Sequence, residues 1–98
     1  MELSSKQRAY LRSLANKIPA LYQIGKGGIT DELVRMTEDA LEGRELIKFH
    51  VLETSPLSAR EACYELQEKT YAEGVQIIGN KFVIYRPKRK DPIIVLPK

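Results

Sequence analysis

Between Tyr22 and Leu33 the chain reads YQIGKGGITDEL, three glycines and a lysine placed between an apolar run and an acidic, helix-starting stretch. Residues of these types can hold phosphate. Glycine has no Cβ, so its backbone approaches an anion closely, while the N–H groups of a following helix point outward as donors. Lys26 adds a positive charge at the tip. Two nucleotide-binding patterns fail here. The Walker A pattern G-x-x-x-x-G-K-[ST] is not met, because Lys26 precedes the Gly27-Gly28 pair and no hydroxyl follows the lysine. The dinucleotide fingerprint G-x-G-x-x-G starts at Gly25 and Gly27 but meets Thr30 where its third glycine belongs.

What does match is G-x-x-G, Gly25-Lys26-Gly27-Gly28, the pattern with which KH-type domains clamp a nucleic-acid backbone. Four residues with two fixed glycines also describe a plain turn, so context must decide. Other chemistry is sparse. His50 is the sole histidine and has no sequence-adjacent partner that would make it a general base. Cys63 is the sole cysteine, which excludes an intramolecular disulfide and any zinc site of two thiolates within one chain. Helix capping and solvation account for the acid pairs Asp31-Glu32 and Glu38-Asp39. No catalytic residue, metal, cofactor or small-molecule substrate is expected.

The elements that must position the glycines follow from periodicity. In Ser4 to Ile18, Tyr10, Leu11, Leu14, Ala15 and Ile18 recur at spacings of three and four, one face of a helix that Pro19 closes. ALYQI is short and rich in strand formers. After the glycines, Thr30 suits an N-cap, Asp31 and Glu32 suit the first turn, and Ile29 with Val34 can form a hydrophobic staple. That helix turns Leu33, Thr37, Ala40 and Leu41 inward and is expected to stop at Gly43. Ile47, Phe49 and Val51 alternate with Lys48 and His50, a strand with one core face and one polar face. Ser58 and Glu61 match a capping box, Ala59, Ala62, Cys63, Leu66 and Thr70 form an inward stripe, and Gly74 is read as the stop. VQIIGNKFVIYRP reads as two strands joined at Gly79-Asn80. Beyond Pro87 the basic, then apolar segment 88–98 is limited by its prolines to an edge strand or an extended tail. The fold class is therefore α/β, a single compact domain over 1–98, in the order α-β-α-β-α-β-β with a mixed sheet of about four strands.

Charge is segregated along the chain. Residues 1–30 set Lys6, Arg8, Arg12, Lys17 and Lys26 against Glu2, a net +4; residues 31–75 carry −6, and residues 76–98 carry +5. If the two basic ends meet, one face becomes positive and the back acidic, which suits a polyanionic partner. No apolar run approaches the roughly 18 residues of a membrane span. A cytoplasmic monomer with no membrane partner is expected.

The segment from LSSKQRAYLRSLANKIPALYQIGKGGITDELVRMTEDALEGRELIKFHVL, continued through SAREACYEL and VQIIGNKFVIYRP, resembles the YhbY-type RNA-binding proteins, the bacterial stand-alone form of the CRM (chloroplast RNA splicing and ribosome maturation) domain. The resemblance covers about residues 2–87. It implies a fold similar to the C-terminal domain of translation initiation factor 3, an RNA-binding role without catalysis, and association with rRNA of large-ribosomal-subunit precursors during assembly. In that reading Gly25, Lys26, Gly27 and Gly28 cradle the sugar-phosphate backbone. Lys6, Arg8 and Arg12, with Arg86, Lys88 and Arg89, supply the flanking field. Asp31 and Glu32 partly cancel the helix potential, so moderate affinity is expected. A protein-interaction module using the acidic middle segment, without direct RNA binding, stays open at this point.

Overall fold

The computed structural model describes residues 2–98. Its elements run α1 (Ser5–Ala15), β1 (Tyr22–Ile24), α2 (Asp31–Arg44), β2 (Leu46–Val51), α3 (Ala59–Thr70), β3 (Glu73–Ile78) and β4 (Lys81–Tyr85), the order expected from periodicity. The sheet order is β1-β2-β4-β3. β1 pairs parallel with β2, and β4 runs antiparallel to both β2 and β3.

The helix starts are set locally. Thr30 caps α2 by accepting from the Leu33 N–H at 3.1 Å, and Ser58 and Glu61 form the reciprocal box at α3. A second capping box opens α1, where Ser4 accepts from the Gln7 amide and the Gln7 side chain accepts from the Ser4 amide. The S-x-x-Q spacing carried that signal in the sequence.

The helix ends depart from expectation. α1 stops at Ala15, and the Lys17 and Ile18 amides bond back three residues to Leu14 and Ala15. Pro19 disfavours the helical conformation at the residue before it, so the last turn tightens ahead of the proline. α2 runs through Gly43, and Glu45 takes the positive φ of 67°. α3 ends on Tyr71 at φ 59°. Gly74 lies inside β3 at a register shift, where an added Cβ would stand 2.6 Å from Gln67 Oε1.

Two apolar layers enclose the sheet. α2 and α3 cover one face through Leu33, Leu41, Ala62, Cys63 and Leu66, packed on Ile24, Ile47, Phe49, Val51, Phe82 and Ile84. The Phe49 and Phe82 rings stack at 4.8 Å, a geometry worth about 1 kcal/mol beyond the area it buries. The predicted stripe of α3 is buried at every position. The opposite face is less polar than the alternation in β2 suggests. There Leu46, Val75, Val83 and Tyr85 lie under Leu11 and Ala15 of α1, with Ile94 and Leu96 of the tail packed alongside. Lys48 and His50 on that face are half-buried.

Segment 86–98 forms no strand. The buried Glu45 carboxylate holds it, accepting from the amides of Lys88 (2.8 Å), Ile93 (3.0 Å) and Ile94 (2.7 Å). Gln7 Nε2 donates to the Pro97 carbonyl at 3.1 Å, joining the tail to α1. A glycine at position 45 could provide the backbone angle but not this acceptor. Among the described residues no helix is long and apolar enough to cross a membrane.

Candidate nucleic-acid interface

Because β1, β2 and β3 run the same way, their C-terminal ends gather on one side of the molecule. The helix after each of β1 and β2 therefore starts there, and two positive helix ends face the same region. Two backbone bonds tie this end together. The Leu52 amide donates to the Ile24 carbonyl at 2.9 Å, and the Val51 amide donates to the Asn80 carbonyl at 2.7 Å. The glycine loop, the 52–57 connection and the Gly79-Asn80 hairpin thus stand side by side.

Within the loop the Gly28 amide donates to the Gly25 carbonyl at 3.0 Å, closing a β-turn over Lys26 and Gly27. Gly28 has φ 65°, and a Cβ there would meet the Pro56 ring at 3.4 Å. The fold itself asks for glycine at this position. At Gly27 the backbone angle is ordinary, and an added Cβ would only touch Thr30 at 3.7 Å. Gly25 is similar, with ordinary contacts to Leu52 and Thr54. Among the described residues no hydrogen bond uses the Lys26 or Gly27 amide, and both residues are exposed. The turn presents two unpaired amide donors and an exposed cation. Asp31 and Glu32 are exposed in the adjoining helical turn.

The other candidate residues are not gathered around this loop. Arg8 donates to the Gly74 carbonyl, at the start of the strand on the edge opposite β1. Lys6 is exposed and Arg12 half-buried on α1, which packs across β2 and β3. Arg86 follows the end of β4, at the opposite end of the sheet from the loop. Its Nη1 bonds Glu38 Oε2 at 2.8 Å and the Thr70 carbonyl at 2.7 Å, and its Nη2 bonds Glu42 Oε2 at 3.0 Å. Only 14% of its side chain is exposed. Lys88 gives its amide to Glu45. Arg89 lines a shallow notch with Glu38, Asp39 and Glu42. The tail's arginines therefore lie against acidic groups of α2, while the tail meets α1 through the Gln7–Pro97 bond and through Ile94 and Leu96 packed beside it. Several acids of the middle segment are likewise engaged within the fold.

Two cations at the loop end were not singled out by sequence reasoning. Lys81 is exposed directly after the hairpin, opposite His50, and Arg60 is exposed in the first turn of α3. Their signal was positional. Each follows a turn or cap that the strand order brings to this end, and that order was needed to see it.

A cleft of about 460 Å³ lies at the opposite end from the loop, between Leu14, Pro19, Leu21, Leu46 and Ile94. Among the described residues no three His, Cys, Asp or Glu side chains converge to hold a metal. Burial pushes the Cys63 thiol up to about 11, against the opposing charge of Arg60, so at neutral pH it is a protonated core group.

Comparison with known proteins gives this arrangement a family. Residues 3–86 match the CRS1 / YhbY (CRM) domain. The chain is 36% identical over 95 residues to the "Probable RNA-binding protein YqeI" of Bacillus subtilis (strain 168), covering 97% of this chain and 99% of that protein. It is 32% identical over 91 residues to a Haemophilus influenzae protein named RNA-binding protein, covering 93% and 92%. The solution structure of the Staphylococcus aureus hypothetical protein SAV1595, described as an RNA-binding candidate, superposes with a TM-score of 0.80 at 46% identity, over 98% of this chain and all of that one.

Proposed function

The chain belongs to the CRS1/YhbY (CRM) domain family, and on that premise we propose that it is a non-catalytic RNA-binding protein whose Gly25–Gly28 turn clamps a sugar-phosphate backbone. Its target is rRNA of large-ribosomal-subunit precursors, and its role is in their assembly. Gly27 is the observation that carries this reading. Its φ is not positive and nothing among the described residues crowds it, yet its amide and that of Lys26 lie in an exposed turn with no hydrogen-bond partner there. A glycine unexplained by the fold is explained by a backbone passing close to it. Lys26 supplies the charge, and Lys81 at the neighbouring hairpin extends it.

The test is a Gly27→Asp variant, which adds bulk and negative charge at the contact. It should keep the wild-type circular dichroism spectrum and lose about tenfold or more in affinity for a large-subunit rRNA fragment, with Lys26→Ala losing less. Wild-type affinity in a folded Gly27→Asp protein overturns the clamp. The assembly role is read separately on a sucrose gradient. Co-migration with immature large subunits is expected at low salt in growing cells, and recovery only among free proteins counts against it.

A further inference from the structure

At the β3 edge, α3 and the edge strand leave a polar cleft of about 420 Å³. Arg8 of α1, Arg60, Tyr64 and Gln67 of α3, and Glu73 and Gln76 of β3 line it. Tyr64 is 60% exposed and lies off the stripe by which α3 packs, so the core does not account for an aromatic there. Two guanidinium groups from separate helices border the same space. Arg8 is anchored to it by donating to the Gly74 carbonyl, one bond from a group with five donors. β3 pairs on one side only, so backbone donors and acceptors of its free edge also face outward.

An open aromatic face, two arginines and two side-chain amides make up a set that recognises an unpaired nucleotide, by stacking its base, holding its phosphate and bonding the base edge. A cleft of about 420 Å³ suits one nucleotide rather than a run of them. We propose that this cleft takes a single unpaired nucleotide of the bound RNA, its base stacked on Tyr64 and its phosphate held by Arg60 and Arg8. This rests on the RNA-binding reading of the glycine turn and adds a second, separate contact to it.

The experiment compares a blunt RNA hairpin with the same hairpin carrying a short single-stranded 3′ extension. Wild type should bind the extended RNA more tightly, by roughly fivefold to a hundredfold, the range of one base–aromatic stack. Tyr64→Ala should lose that gain while binding the blunt hairpin as wild type does, and Tyr64→Phe should keep it. Arg60→Ala should reduce the salt dependence on the extended RNA by about one unit more than on the blunt hairpin. A full gain in Tyr64→Ala, or no gain in wild type, overturns the cleft while leaving the glycine turn standing. Failure of wild type to bind either RNA overturns both.

Discussion

The G-x-x-G turn contains glycines present for two different reasons. Gly28 serves the fold, since its φ of 65° disfavours a side chain and a Cβ there would touch the Pro56 ring at 3.4 Å. Gly28→Ala should lower stability by about 1–2 kcal/mol, the cost of the left-handed angle, which chemical denaturation will register as a lower midpoint. Gly27→Asp should leave that midpoint close to wild type and act on RNA affinity instead, so the two substitutions separate structure from contact one residue apart. Cys63 permits a further residue-scale test. Its pKa, raised from 9.0 to about 11 by burial, means the unfolded chain loses the thiol proton first as pH rises. Stability from this group is then complete below pH 9 and declines between pH 9 and 11. Cys63→Ala should flatten that decline in urea titrations repeated across the window, and an unchanged slope would show that other groups carry it.

At the scale of elements, charged side chains expected on the surface act as ties. Arg86 joins the end of β4 to Glu38 and Glu42 of α2 and to the Thr70 carbonyl at the end of α3. These are charge-assisted bonds on a mostly buried guanidinium, so Arg86→Ala should cost about 2–3 kcal/mol of stability. RNA affinity of the folded fraction should be near wild type, because the side chain is at the far end of the sheet from the glycine turn. A tenfold affinity loss with an unchanged denaturation midpoint would return Arg86 to the RNA face. Glu45 acts in the same way on the tail, where one carboxylate at a positive-φ helix end gathers three amides that are 43 to 49 residues away in sequence.

For the whole molecule, the parallel sense of β1, β2 and β3 decides which cations can act with the turn. Each phosphate contact releases counterions, so the slope of log affinity against log salt counts the contacts. Replacing Lys26 and Lys81 with alanine should flatten that slope by roughly two units, whereas replacing Lys88 and Arg89 should change it by less than about one. Equal flattening by both pairs would place the tail on the RNA path despite its position. Sequence preference should move little in either case, since phosphate contacts position and do not specify.

Local physics made most of the fold legible. Period-3.6 patterns located the helices, alternation located β2, strand-forming residues and the Gly79-Asn80 turn located the other strands, and the Thr30 and Ser58 caps were readable because capping is a contact between residues three apart. The G-x-x-G turn was visible for the same reason. Helix ends were misplaced at Gly43 and Gly74 because glycine only permits a left-handed stop. Glu45 and Tyr71 took those roles, Glu45 with a carboxylate bonded to a distant segment, while Gly74 lies in β3 where an added Cβ would meet Gln67. The charge pattern was misleading in a similar way. Net charge along a chain says nothing about which cation meets which anion, and pairing Arg86 with α2 while leaving Lys81 at the turn's end of the sheet depends on strand order and direction. Those are set by burying both faces of one sheet, a condition that no single stretch of sequence contains.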